Sequence, residues 1–270
     1  MCLPVTDPTP LDQAHALMES APDDDALRLR FYERLADAEL FLLLAEESDG
    51  DTLSPAVFRL EDGDFAMTFD LEERLAAFSD APAPYAALPG RIAARELAAL
   101  GVGLGLNIGV APSAFLLPMP ALAWLSETLG HAPEATEARP VAFHDGGALP
   151  PALIAALADK LARLGGYADH VVLAGVRYHD GRRGHMLAFV GPRPGTEAAL
   201  AKAVSEALVF SGVEAGELDV AFLAADDPAL AAMSAQGRRL DMPVPPPENV
   251  QIIGGPAAPG MDPARPPRLR

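Results

Sequence analysis

Hydrophobic positions in the first 130 residues follow two different spacings. Leu27, Phe31 and Leu35 recur at the spacing of a helix face, and three aspartates before them, Asp23 to Asp25, suit a helix N-terminus. The continuous apolar run from Leu40 to Leu44 is typical of a strand that is buried on both faces. The first half of the chain therefore predicts mixed helices and strands.

Turn-forming residues separate further strands in this half. The segment Glu61 to Asp64 contains an Asp-Gly pair between two apolar stretches, which predicts a tight hairpin. Glycines at positions 101, 103, 105 and 109 surround a second pair of strands. Their spacing does not match the dinucleotide-binding fingerprint, and no Gly-Lys-Ser/Thr follows. We interpret this region as a tightly packed strand followed by a turn at Asn107.

The pattern becomes more regular after residue 140. It predicts a short strand, a helix that begins at Pro150-Pro151, two strands joined at Asp180-Gly181, a helix that begins near Thr196, and a last strand. This β-α-β-β-α-β order is that of the ferredoxin-like arrangement. We therefore expect an antiparallel sheet with its helices on one face and its other face free.

A segment without apolar periodicity separates the two patterns. We expect an N-terminal arm or helix over residues 1–22, a mixed α/β domain over 23–130, a linker over 131–140 and a second domain over 141–244. Residues 245–270 are rich in proline, so this tail is expected to be extended and could bind a partner in that form. The predicted class is α+β, in two domains.

Composition changes the range of functions to be considered. Half of the 270 residues are hydrophobic, which is enough for a sizeable core. The formal net charge is −18, and we expect neither nucleic acid nor membrane as a partner, because both attract clustered positive charge. The single cysteine, Cys2, allows no internal disulfide bond. We see no secretory signal pattern and no apolar run of the ~20 residues that span a membrane, so we expect a cytoplasmic protein.

Residues with catalytic or metal-binding potential are few. His179 and His185 flank a predicted turn, but no third metal ligand accompanies them, and Arg182 and Arg183 at the tip would repel a cation. The two arginines could instead contact an anion or an acidic partner. Nucleophile motifs are missing from the sequence. We therefore expect no catalytic residue, no cofactor and no metal.

Three other positions are candidates for interaction. Asn107 and Gly109 lie at a predicted turn and could form a small-ligand or substrate site between the domains together with His144 to Gly147. Trp124 lies in a predicted helix beside a stripe of leucines. Core packing is the favoured role of this stripe, and a groove for a partner is the alternative if part of it is exposed.

Several stretches of the chain resemble the SseB family, which is named for enhanced serine sensitivity. In the first half they are FYERL at Phe31 to Leu35, LFLLL, the strands ending in FAMTFDLEERLAAF, and LGLNIGVAPSAFLLPMPALAWL; in the second half they are PPALIAALADKLARL, the strands around HDGRRGH, and LDVAFLAADDPAL. The resemblance covers most of Leu27 to Val244 and implies an N-terminal and a C-terminal SseB domain. The family has no agreed catalytic activity or cofactor, so the resemblance implies a fold and no active site.

These observations favour a binding function. We expect a non-enzymatic regulatory or accessory protein that binds an unknown protein partner or associates with itself as a homodimer. The alternative is a small-ligand sensor or an enzyme whose site lies between the two domains. A concave pocket between the domains that holds a titratable residue with a shifted pKa would favour this alternative.

Overall fold

Two β-sheets organise the computed structural model, which describes residues 7–47, 53–134, 137–146, 149–212 and 218–243. The elements of the first half are α1 (Pro10–Ser20), α2 (Asp25–Asp37), β1 (Glu39–Leu43), β2 (Val57–Leu60), β3 (Gly63–Phe69), α3 (Glu72–Ser79), β4 (Tyr85–Pro89), α4 (Gly90–Leu100), β5 (Gly103–Leu106), β6 (Phe115–Leu117) and α5 (Met119–Gly130). Those of the second half are β7 (Pro140–His144), α6 (Pro151–Arg163), β8 (His170–Tyr178), β9 (Arg183–Val190), α7 (Glu197–Phe210), β10 (Leu218–Leu223), α8 (Pro228–Gln236) and β11 (Arg238–Asp241).

The first sheet has the strand order β4-β1-β3-β5-β6, and β2 pairs with β3. Side chains alternate across it, so Leu40 and Leu42 of β1 join one core and Leu43 joins the other. Helices α1, α2, α4 and α5 contribute to the first core, whereas α3 is the one described helix on the opposite face, where connecting segments also pack. The predicted strand at Leu40 to Leu44, buried on both faces, and the predicted hairpin at Glu61 to Asp64 are confirmed.

Glycines in β5 allow two large side chains to cross it. A Cβ atom at Gly103 would lie 2.7 Å from the ring of Phe65, and one at Gly105 would lie 2.6 Å from the sulfur of Met67. Both distances are too short for a real contact, so a side chain at either position would displace its neighbour. The predicted close packing of this glycine-rich strand is therefore confirmed.

The second sheet has the strand order β10-β9-β8-β11, and β7 shares one edge of β8 with β11. The antiparallel pair β8 and β9 is joined at Asp180-Gly181, as predicted. On the shared edge, β7 pairs with the end of β8, from Gly175 to Tyr178, and β11 pairs with its beginning, from His170 to Leu173.

The α+β class is confirmed, but the ferredoxin-like detail is not. In a split βαβ unit the strands on either side of a helix are parallel and have another strand between them. Here β7 and β8 flank α6 and pair directly in antiparallel fashion, and β10 pairs with β9 in parallel, so the sheet is mixed. The spacing of hydrophobic residues shows which faces of a strand are buried, but it does not show which strands pair with each other. The order of the elements along the chain therefore led to the wrong strand arrangement.

The expectation of a free sheet face in the second half is also corrected. Helices α6 and α7 pack on one face, as predicted, where Val171, Leu173 and Phe189 meet them. The opposite face is covered by α8, whose Met233 packs against strand residues that include Ala174. Both faces of β8 are apolar, so leaving either one in water would carry a large hydrophobic cost.

The two halves share one core at α7. Phe210, the last residue of this helix, is fully buried within the core of the first half, and its ring centroid lies 6.4 Å from that of Trp124. The adjacent Val209 is 44% exposed. The division of the chain into domains with the predicted limits stays a prediction, but the two sheet-centred halves pack against each other through this residue.

Replacing Phe210 with alanine is expected to lower the free energy of unfolding by about 3–5 kcal/mol, because it leaves a cavity where the halves meet. The matched variant Val209→Ala is expected to change it by less than about 0.5 kcal/mol. Urea unfolding of both variants measures this difference, and equal effects would contradict the placement of Phe210.

Candidate interaction surface

Asn107, one of the predicted interaction residues, is fully buried and adopts a positive φ of 49°. Its side-chain oxygen accepts a hydrogen bond from the Asp70 N–H at 3.2 Å, and its amide nitrogen donates to Ser113 Oγ at 2.9 Å. These bonds are internal to the first half of the chain. A partner at this turn would therefore have to touch the exposed Gly109 rather than Asn107.

The hydrogen bonds of Asn107 belong to a buried ionic network that joins α1 to α3. Arg74 donates to the Asp12 carboxylate at 2.5 and 3.0 Å and to Asp70 at 2.7 Å, and Ser113 also donates to Asp12. Burial would raise the pKa of Asp12, but the hydrogen bonds from Arg74 and Ser113 outweigh it and hold this pKa at about 2. The network is structural, since each charge in it has an internal partner.

Arg182 and Arg183 lie at the turn between β8 and β9, and their contacts with neighbouring residues differ. The Arg182 N–H and Nε both donate to the Asp180 carboxylate, at 3.0 and 3.2 Å, and the guanidinium carbon lies 4.6 Å from the Tyr178 ring centroid. Arg183 is exposed at the beginning of β9. Contact of this pair with an anion or an acidic partner stays a prediction.

The histidines near β7 contact backbone oxygens. His144 Nδ1 lies 2.8 Å from the carbonyl oxygen of Asp145, and His185 Nε2 lies 2.6 Å from that of Gly146. Within the ranges that the structure covers, no three His, Cys, Asp or Glu residues are grouped closely enough to hold a metal ion. His185 and Gly146 line a 490 Å³ cavity beside α6, whereas Asn107 is buried in the first half, so the structure does not unite the two parts of the predicted interdomain site. Gly147 lies outside the described residues.

The contact between the two halves centres on the ammonium group of Lys160. Its Nζ lies 2.8 Å from Asp37, 3.1 Å from Glu206 and 3.2 Å from Glu33, and none of these four side chains is more than 11% exposed. Burial would lower the pKa of Lys160, but the three carboxylates outweigh it and raise this pKa. Burial also raises the pKa of Glu33. The lysine is therefore held in its charged form.

Four arginines extend this contact at the boundary between α2, α4 and α6. Five cationic side chains then face four carboxylates, so the positive charge here slightly exceeds the negative charge in a chain whose net charge is −18. The additional pairs are Arg91 with Asp37 and Glu206, Arg163 with Asp37, and Arg30 and Arg34 with Asp159.

A cleft of about 330 Å³ opens between the halves beside this network, bordered by Pro10, Arg34 and Arg163. Both arginines are already paired with carboxylates. Lys160 and Glu33, whose pKa values are shifted, do not line the cleft. These two groups therefore do not supply the titratable residue in an interdomain pocket that would favour a sensor or an enzyme.

Strand β2 exposes apolar side chains at the edge of the first sheet. All four of its residues are exposed, and three are apolar: Val57 at 49%, Phe58 at 36% and Leu60 at 39%. Among the described strands β2 pairs with β3 alone, so its outer edge presents backbone groups without a strand partner. An open edge of this kind is where a further strand can be added.

Phe58 extends the apolar edge onto the face that α3 covers. Its ring centroid lies 5.9 Å from that of Phe78 in α3, which in turn lies 5.2 Å from that of Phe69 in β3. Helix α3 has only eight residues, and several apolar side chains on this face are left partly buried. We call Val57, Phe58, Leu60 and Phe78 together the β2 surface.

Acidic residues border the β2 surface. From Val57 to Asp80, the exposed acidic side chains outnumber the exposed basic ones by six to one, Arg59 being the exposed base. A partner with basic residues beside an apolar segment would complement this surface. The acidic residues are Glu61, Asp62, Asp64, Glu72, Glu73 and Asp80.

Trp124 lies near the junction of the two halves and is 40% exposed. Its ring contacts Tyr32 of α2 at 6.0 Å and Phe210 of α7 at 6.4 Å between centroids. The leucines of the same helix, among them Leu122 and Leu125, are fully buried in the first core, as the core-packing interpretation predicted. The exposed part of Trp124 remains a candidate contact for a partner.

The fold and the surface define an α+β protein of two joined sheets that presents an apolar edge strand. Residues 13–124 match the family model described as the SseB protein N-terminal domain. No curated protein and no solved structure matches the chain. None of the helices in the described ranges has the length and apolarity to cross a membrane. The first half of the chain is therefore similar to the SseB N-terminal domain, and the assignment of its second half to the C-terminal SseB domain stays a prediction.

Replacing Asp12 with asparagine should reveal the charge of the α1–α3 network. The folded pKa of Asp12, about 2, lies below its usual 3.8, so the ionised group stabilises the fold above about pH 4 and this contribution is lost as the pH falls through about 2. The variant is expected to lose about 3 kcal/mol at pH 7 and progressively less toward pH 2. The exposed Asp23→Asn serves as control, and a loss that is constant over this pH range would contradict the role of the charge.

Replacing Lys160 with methionine is expected to lower the free energy of unfolding by about 3–5 kcal/mol, because buried carboxylates lose their central cation. Lys202→Met is the matched control, since Lys202 donates to the Leu129 carbonyl oxygen at 2.6 Å and forms no salt bridge with a buried carboxylate of the described residues. The control should lose about 1 kcal/mol. Chemical denaturation of both variants checks this, and a Lys160 variant as stable as the control would count against the network.

Proposed function

We propose that this chain is an SseB-family regulatory or accessory protein that acts without catalysis, in the cytoplasm, by binding another protein through the β2 surface. The observation that supports this most directly is the exposure of all four residues of β2, three of which are apolar, on an edge without a described strand partner. The partner proposed is an extended apolar segment of another protein, flanked by Lys or Arg residues.

Addition of a strand from the partner to β2 explains how a surface of four strand residues could bind one segment specifically. The backbone of a bound segment would pair with the outer edge of β2, while its alternate side chains would pack on Phe58 and Phe78. The acidic border would attract basic residues and orient the segment as it approaches. The same border makes nucleic acid and anionic membranes poor partners, because both carry negative charge.

The acidic border also indicates whether the β2 surface binds a different protein or a second copy of this chain. Two copies that paired β2 against β2 would bring two acidic borders together, and like charges that meet at an interface oppose binding. Pairing with a basic segment of another protein is therefore favoured over the homodimer. The interdomain sensor or enzyme stays an alternative without a specific group to support it.

A photo-reactive amino acid at position 58 tests the proposal directly. Position 141 is the control, because Val141 is an exposed apolar strand residue of the second sheet, at 50%. We expect covalent adducts from position 58 and none of the same adducts from position 141, with peptide mapping that places them on basic, apolar segments. Identical adducts from both positions, or adducts with this chain alone, would argue against the proposal.

The substitution Phe58→Lys is expected to weaken binding of the crosslinked partner, because a lysine on an edge strand prevents strand addition. The expected loss of binding free energy is about 2 kcal/mol, or roughly thirtyfold in affinity. Val141→Lys adds the same charge elsewhere and should leave the affinity unchanged. Titration at two salt concentrations measures both effects, since salt should weaken the wild-type complex by screening the acidic border. Equal affinities of the two variants would refute the role of β2.

A further inference from the structure

A groove of about 710 Å³ lies beside β10, between α7 and the segment Ala132–Glu134. Strand β10 pairs with β9 and with no other strand in the described part of the chain, which does not include the predicted tail over residues 245–270. Protein pockets that hold small molecules have volumes of roughly 300–1,000 Å³ and mostly apolar walls with a few polar groups. The groove fits this description, since its apolar lining residues include Ala138, Met186, Ala201, Ala221 and Phe222.

Two walls of the groove are held in place by contacts with their neighbours. Lys202 of α7 donates a hydrogen bond to the Leu129 carbonyl oxygen at 2.6 Å, which ties this helix to the end of α5, just before the segment Ala132–Glu134. On the sheet side, the ring of Phe222 stacks on the fully buried ring of Phe189, with centroids 5.9 Å apart and planes 16° apart. Binding of a ligand would therefore cost little ordering of these walls.

The charged side chains of the groove favour a cation over an anion. Carboxylates outnumber ammonium groups by three to one among its described lining residues: Glu134, Glu197 and Asp219 against Lys202. The lysine already donates to a backbone oxygen, so it is engaged within the protein. Complementary charge favours a complex, and like charge opposes it. The apolar lining next to these carboxylates therefore indicates a ligand that has both a positive charge and an apolar body.

Asp219 is placed to bind the charged end of such a ligand. The hydroxyl group of the buried Tyr178 donates a hydrogen bond to its Oδ2 atom, and this is the one hydrogen bond that the carboxylate accepts within the described residues. A carboxylate can accept several hydrogen bonds, and those from an ammonium group are about twice as strong as neutral ones. Asp219 pairs with Met186 in the register of the sheet, and Ala221 follows two positions later, so the three side chains lie on one face.

We propose that this groove binds a small organic cation, an amine whose ammonium group pairs with Asp219 and whose apolar body packs against Met186 and Ala221. Glu134 and Glu197 add negative charge to the same groove and favour the cation further. Phosphate compounds and fatty acids are disfavoured, because they would bring negative charge to these carboxylates. The site goes beyond the proposed binding of another protein, since it lies on the second sheet and takes a different class of ligand.

Calorimetric titration of the full chain at pH 7 with three probes of similar shape tests this proposal. The probes are 3-phenylpropylamine, a cation; 3-phenylpropan-1-ol, which is neutral; and 3-phenylpropionate, an anion. We expect the amine to bind with a Kd of about 0.1–1 mM, in keeping with the affinity per atom of small ligands, and at least about tenfold more tightly than the alcohol or the anion. Equal affinities for the amine and the alcohol, or no binding of the amine up to about 10 mM, would overturn the proposal.

The variant Asp219→Asn tests the role of the carboxylate. It keeps the shape of the side chain and an oxygen that can accept from Tyr178, but it removes the negative charge. We expect it to weaken binding of the amine about tenfold and to leave binding of the alcohol unchanged. Asp226→Asn is the matched control, because Asp226 is exposed and does not line the groove. Equal affinities of the two variants for the amine would contradict the assignment.

A second variant keeps the test decisive if Asp219→Asn fails to fold, which thermal melting would show. Glu197→Gln changes a side chain of α7 that is only half-buried, and it is expected to weaken binding of the amine about threefold, again without effect on the alcohol. An affinity for the amine that is unchanged in this variant would count against a groove that selects cations.

Amide resonances locate the bound amine. We expect its addition to shift resonances of Leu218–Leu223 and of the beginning of α7, and to leave those of Val57–Leu60 in β2 unchanged. Shifts confined to β2 would overturn this site. Shifts in β10 that grow with protein concentration in the absence of the amine would show that a second copy of the chain fills the groove instead. Failure of this site would leave the proposed function of the β2 surface standing, because that surface lies on the other sheet.

Discussion

The ammonium group of Lys160 is the point at which the two halves of the chain are joined. A buried charge is tolerated only where opposite charges and hydrogen bonds replace the lost water. Glu33, Asp37 and Glu206 supply the opposite charges, and Asp37 and Glu206 also accept hydrogen bonds from the lysine. Two of these carboxylates come from α2 and one from α7, while the lysine belongs to α6. One cation thus fixes three helices, and Phe210 adds an apolar contact beside it.

This junction determines which surfaces of the molecule are left outside. The helices that cover one face of each sheet meet in the middle, since α2 and α4 of the first half pair with α6 and α7 of the second. The α3 face of the first sheet and its β2 edge are then directed away from the junction. The exposed apolar side chains of β2 are not needed for contact between the halves, which is why they are free for another protein in our proposal.

Local features of the fold could be predicted from sequence because they depend on neighbouring residues. The Asp-Gly hairpin at Glu61 to Asp64 and the helix N-terminus at Asp24 follow from turn and capping chemistry, and both are present. The ferredoxin-like order failed because strand neighbours are set by long-range packing. Lys160 was missed for the same reason: it looks like an ordinary helix charge until Glu206, 46 residues later, is brought to it. The exposure of β2 was equally invisible, since alternation cannot distinguish an edge strand from a central one.

Differential scanning calorimetry of the full chain tests most directly whether the two halves form one unit around Lys160 and Phe210. A shared core and a shared buried cation predict a single cooperative transition in which the calorimetric and van't Hoff enthalpies agree. Two separate transitions, one for each sheet, would contradict this account.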